Sequence, residues 1–264
     1  MSQAAEAILA SLDEVRRERE RRAADPALAR RVHAVKHFQQ QRLAATYSDL
    51  AAMPRYRQAT AFFLDELYGP QDYGRRDAQF ARVVGGLKLL PQEVAQTIVA
   101  LGDLHALSER LDTQMAQHWS EAAGTEAERS ALGGALGSGA NGSDLGSAAC
   151  GRELGNAAYS RAWRAVGQPE QRERQVALLL QVGEALDRHT RSRLLRATLH
   201  MMRAPARAAG LEALQHFLEA GFDAFGAMGG AKEFLRIIGQ RERKLAAQLF
   251  AGPAPEAASS PAPR

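Results

Sequence analysis

Cys150 is the only cysteine in 264 residues. A lone thiol forms no intrachain disulfide and no cysteine-based zinc site, because both need paired thiols. Lysine is nearly as scarce. Lys36, Lys88, Lys232 and Lys244 are the only four among 34 basic residues, so arginine carries almost all the positive charge, a usage common in GC-rich bacterial genomes. Long apolar runs are missing too. The longest uncharged stretch on a plausible helix, Val94 to Gly102, falls well short of the roughly 18–20 residues that span a bilayer. The start, Met1 to Arg22, has Glu6 early and only Ile8, Leu9 and Leu12 before Asp13, so it lacks the basic start and the apolar stretch of about 7–15 residues of a signal peptide. These absences predict a soluble, cytoplasmic protein. β-Branched residues are few and no period-two alternation occurs, which argues against sheet.

What is present is 45% hydrophobic and 24% charged residues with a formal charge of +4, a balance that excludes a disordered chain or a collagen. The apolar residues recur at helical spacing. Ile8, Leu9, Leu12 and Val15 make a narrow stripe on a charged helix over Ala4–Ala24, in which Asp13 with Arg17 and Glu18 with Arg22 stand four apart in the favourable order. Asp25 and Pro26 form an N-cap and first-turn pair that opens a helix running to about Met53. Pro54 opens another, ending at Tyr68. A shorter helix spans Arg75 to about Leu89, and Pro91 begins the longest pattern, from Val94 through Ile98, Leu101, Leu104, Leu111 and Met115 to Trp119. Helical stripes resume at about Ala157 and continue, broken at Gly167, Pro205 and Gly229-Gly230, to Leu249. The expected fold is an all-α bundle of about nine or ten helices. FFLDELY (Phe62–Tyr68) and HFLEAGF (His216–Phe222) are faintly alike, as a duplication or two similar core positions would make them.

Residues 124–155 hold nine glycines, mixed with serine, alanine and asparagine, and are expected to be a flexible insert because so little apolar surface cannot offset ordering entropy. The domain reading is therefore an amphipathic N-terminal helix (1–25), one helical domain (26–250) interrupted at 124–155, and a disordered Pro/Ala/Ser tail (251–264).

Several chemistries are missing. None of the seven histidines has an acidic residue three positions before it, so the common di-iron bundle site is excluded. His33 and His37 stand four apart without the glutamate of a metalloprotease motif and read as a solvated pair. There is no phosphate loop, dinucleotide fingerprint or nucleophile elbow. No metal site is expected, and the residues name no cofactor.

Two polar groupings stand out. Around the Gly69-Pro70 turn lie Tyr68, Asp72, Arg76 and Asp77, which could grip a ligand through bidentate arginine contacts or could be caps and ion pairs. On the long helix, His105, Glu109 and Asp112 share one strip. A histidine oriented by a carboxylate is half of an acid–base site, or else a satisfied boundary residue. A pocket is expected between this strip and the Tyr68–Asp77 corner. The arginines between Arg16 and Arg31 are interleaved with Glu18, Glu20 and Asp25 and lack stacking aromatics, so nucleic-acid binding is not expected; a salt-bridged, solvated helix is.

The run FFLDELYGPQDYGRRDAQFARV (Phe62–Val83), with LHALSERLD (Leu104–Asp112) and GFDAFGAMGGAKEFLRIIGQRE (Gly221–Glu242), resembles an uncharacterised family of proteobacterial helical proteins over most of Tyr47–Phe250. The resemblance implies a helical, soluble bacterial protein and carries no catalytic residue with it. The sequence reading is thus a protein-interaction or regulatory module, with a protein partner or a second copy meeting the N-terminal helix. The alternative is a small-ligand or haem binder, or an enzyme, using His105.

Overall fold

The computed structural model describes residues 3–67, 69, 73–84, 91–119 and 156–251. The glycine-rich stretch 124–155, residues 252–264, Tyr68, Asp72 and the expected helix end at Leu87–Leu89 lie outside them. Every element among the described residues is helical, and none is long and apolar enough to cross a membrane.

The long helix forms as its stripe predicts: α6, Gln92–Gln117, is the axis of the molecule. Against it lie α1 (Gln3–Ala24), α2 (Pro26–Thr46) and α8 (Pro169–Thr190). Asp25 caps α2, accepting from the backbone N–H groups of Ala27 at 2.9 Å and Leu28 at 3.0 Å, and Pro26 takes the first turn where its missing donor costs nothing.

The stretch expected as one helix to Met53 divides instead at Tyr47, whose ring is buried edge-on against Phe63, and a short α3 (Ser48–Ala52) follows. Pro54 lies in a turn and α4 begins only at Arg57, running to Phe62. It continues as one wide π turn over Phe63–Leu67, which leaves the Asp65 carbonyl for a side chain to bond. α5 (Gly74–Val83) completes the N-terminal half. After α7 (156–166), Gly167 and Gln168 both take left-handed backbone, with φ 66° and 60°, before α8. Next come α9 (Arg193–Met201), α10 (Arg203–Ala208), α11 (Glu212–Ala227) and α12 (Lys232–Ala251). Gly229 and Gly230, at φ 63° and 125°, make the break between α11 and α12 that only glycine takes freely, and Arg55 donates to the Met228 and Gly230 carbonyls across it.

Three apolar clusters result. One joins the end of α2, α4, the middle of α6, α8, α11 and α12 around Leu104, Leu111, Phe225 and Phe234. A second is aromatic, with Phe38, Trp119, Tyr159 and Trp163 between α2, the end of α6 and α7. The third seats Ile8 of α1 against Val84. The two similar segments meet each other, since the rings of Phe62 and Phe217 pack at 5.6 Å.

Candidate functional site

α1 is fastened to α6 along its length. Its apolar stripe is buried, with Ile8 and Val15 almost fully covered, and Ser11 donates to Asp103 at 2.8 Å beside Gly102. Two turns on, Arg110 donates to Glu14. Arg22 donates to Thr113 at 3.4 Å, and further polar ties run through the residues singled out in the sequence.

His105 Nε2 lies 2.9 Å from the Asp77 carboxylate, which the first turn of α5 presents where a helix N-terminus favours negative charge. Arg19 of α1 donates to the same oxygen at 2.6 Å, and Arg76 Nε stands 3.5 Å from the other. Burial pushes the Asp77 carboxyl up. The hydrogen bond and charge of His105, with Arg76 and Arg19, outweigh that and hold it at about 2. Tyr73 closes one side, its ring edge-on to His105, and its hydroxyl is within reach of the Asp65 and Gly69 carbonyls at 3.0 and 3.2 Å. Burial pushes its phenol up to about 12. Arg76 is sandwiched between the Tyr73 and Phe217 rings and donates to the Glu66 carbonyl at 3.2 Å. Its guanidinium therefore serves the corner itself.

One turn further along α6, Glu109 does not turn toward His105. It takes Lys36 of α2 on one oxygen at 2.5 Å and Arg22 of α1 on the other at 2.6 Å. Burial raises its carboxyl, but the two cations hold it at about 2. Arg22 is thus committed to α6 rather than to Glu18, while Arg16 takes up Asp13 and Glu20 at the solvent edge. Asp112 is buried deeper and accepts from the Gln39 amide at 3.0 Å. Burial shifts its carboxyl upward, against the pull of Lys36.

The strip therefore has three destinations: His105 reaches α5, Glu109 reaches α1 and α2, and Asp112 reaches α2. Arg19, Arg22, Lys36 and Gln39 are the partners that sequence reasoning missed. Lys36 carried a signal, being one of four lysines in a chain that otherwise uses arginine. Beyond Asp112 the polar seam continues into a cavity of about 40 Å³ bordered by Gln39, Arg42, Trp163, Arg172 and Glu242. That volume suits a water or two, where small-molecule pockets run to about 300–1,000 Å³. Arg42 meets Glu242 of α12 through both terminal nitrogens, at 3.2 and 3.1 Å, and Tyr47 donates to the same carboxylate at 2.7 Å. His33 and His37 stack at 6.3 Å on α2, and among the described residues no group of three or more His, Cys, Asp or Glu is placed to hold a metal ion.

A different kind of surface lies on α9. None of its residues is buried. Leu195 and Leu199 are half-covered against the body of the molecule, while Leu194 and Met201 stand 75% and 70% exposed on the opposite side, with Ala197 and Thr198 between them. The spacing 194, 197, 198, 201 is that of one helical face, and Met202 extends it. A single exposed leucine is ordinary, but large apolar side chains grouped on one face mark contact surfaces.

No curated protein and no solved structure matches the chain significantly. A family model described as a domain of unknown function (DUF8198) matches residues 18–256, and the chain belongs to that family.

Proposed function

We propose that this protein works by binding, as a protein-interaction or regulatory module. The exposed apolar face of α9, Leu194–Ala197–Thr198–Met201, carries this reading: water-facing leucine and methionine at helical spacing are what a helix-to-helix contact needs. The polar strip on α6 supports it from the other side. Asp77, Glu109 and Asp112 are each engaged with partners from α1, α2 or α6, which makes the strip a brace between these helices. Self-association through the N-terminal helix would have to use the charged outer side of α1, because its apolar stripe faces α6; α9 is the better-equipped surface.

A photo-cross-linking residue placed at Thr198 tests this, with a control at the exposed Arg17 of α1. Adducts to a protein, whether another chain or a second copy, from Thr198 and not from Arg17 are expected. Equal labelling at the two sites would count against a binding face on α9.

One observation favours an acid–base reading instead: a carboxylate holds the ring nitrogen of His105 at 2.9 Å. Its test is spectroscopic and kinetic. A ligand-dependent absorbance, or a turnover lost in His105→Gln with folding intact, would establish it.

A further inference from the structure

The surroundings of the α9 face say what kind of partner it takes. From Arg188 to Leu211 the chain has six arginines and two histidines and not one carboxylate. Four of these arginines reach carboxylates from flanking positions: Arg191 with Asp187, Arg196 with Asp223, Arg203 with Glu219 and Arg207 with Glu212. Arg188 and Arg193 make no ion pair among the described residues. The paired arginines are at least 41% exposed, and pairs so open to water are weak enough for an incoming carboxylate to compete. The apolar ridge therefore rises out of a rim with an excess of positive charge.

Resting on the binding reading above, we propose that the α9 ridge docks an acidic amphipathic helix of a partner protein. The partner's apolar stripe would cover Leu194, Met201 and Met202, and its flanking glutamates or aspartates would meet Arg188 and Arg193. Three features select this occupant. Leucine, alanine, threonine and methionine at i, i+3, i+4 and i+7 form a helix–helix seam, and methionine adapts its shape to a partner surface. A membrane-surface helix buries a wide apolar face of Trp, Phe or Leu, whereas α9 keeps Leu195 and Leu199 half-covered, leaves only Leu194 and Met201 as large open groups, and has no Trp, Phe or Tyr over residues 188–211. A second copy pairing about a two-fold axis would bring the same arginine-bearing rim against itself, which like charge opposes.

The experiment uses the full chain and three helical peptides that share one leucine-and-alanine face and differ only in their flanks, glutamate, glutamine or lysine. Binding is read by fluorescence anisotropy. The glutamate peptide is expected to bind about tenfold tighter than the glutamine one, the equivalent of two or three exposed charge pairs, and the lysine peptide weakest. Leu194→Glu should abolish binding, and Arg188→Glu with Arg193→Glu should reverse the order of the glutamate and lysine peptides. Circular dichroism confirms that these surface variants fold. Equal affinity for the three peptides, or an order the arginine variants leave unchanged, overturns the acidic-helix assignment. So does Leu194-dependent binding to phosphatidylserine-containing vesicles, or a Leu194-dependent dimer by light scattering, when the glutamate peptide is not preferred; either leaves α9 as a contact surface for a different occupant. If Leu194→Glu changes none of these, the assignment and the α9 binding reading fall together.

Discussion

His105 on α6 and Asp77 on α5 are 28 positions apart in the chain and 2.9 Å apart in space. Arg19 of α1 shares the same carboxylate oxygen, so one buried carboxylate joins three helices. An arrangement of this kind is sensitive to the protonation of its acceptor.

Stability should therefore fall in acid. Asp77 and Glu109 are both held at about 2, from ordinary values of 3.8 and 4.5. A carboxyl depressed in the folded state stabilises fully above its unfolded value and loses that contribution as pH falls through the window down to about 2. Each contributes on the order of 2–3 kcal/mol at neutral pH. The urea midpoint should be flat above about pH 5 and drop steeply below about pH 4, and Asp77→Asn should flatten part of the drop. A midpoint unchanged down to pH 3 would mean that these ion pairs do not hold α1 to α6.

Glu109 answers two cations at once. Glu109→Ala leaves Lys36 and Arg22 facing each other in a mostly buried corner, and should cost about 3–5 kcal/mol. Replacing Lys36 by methionine and Glu109 by leucine together should recover the part owed to Lys36, because that apolar pair needs no counter-charge, while Arg22 is still left without its carboxylate. Urea denaturation of the two single variants and the double gives the coupling energy, and simple additivity would rule out a shared site.

The reach of sequence reasoning follows the range of the forces involved. The Asp25-Pro26 start of α2, the break at Gly167 and the stripe of α6 are local, fixed by caps, glycine and periodicity within a turn or two, and each forms where it was expected. The break at Tyr47 was not legible, since it depends on a ring finding a pocket near Phe63 and Glu242 from distant helices. The candidate strip was legible as a strip. His105, Glu109 and Asp112 do lie on one helix, but their partners Asp77, Lys36 and Gln39 are chosen by tertiary packing. Arg22 has a local acid in Glu18 that the fold does not use, and Arg19, with no acid three or four residues away, finds Asp77 only through tertiary packing.

Gly221 tests the close approach of α4 and α11. A Cβ there would stand 2.9 Å from the tip of the Phe62 ring, which also packs against Phe217 and cannot swing aside easily. Gly221→Ala should destabilise the fold by about 1–3 kcal/mol through overpacking. That outweighs the roughly 1 kcal/mol alanine gains in a helix. Adding Phe62→Leu should restore part of the loss in thermal denaturation, which a propensity effect alone would not do.

The exposed ridge makes the opposite prediction. Leu194→Ser and Met201→Ser remove large apolar side chains that the folded chain leaves in water, 75% and 70% exposed. Each should therefore change stability by no more than about 0.5 kcal/mol. Leu111→Ala, at a fully buried site on α6, should cost about 2–5 kcal/mol. The contrast separates folding from binding, because a side chain kept for a partner contributes nothing until the partner arrives. If Leu194→Ser proves as costly as Leu111→Ala, the outer face of α9 is covered within the isolated chain and offers no surface for docking.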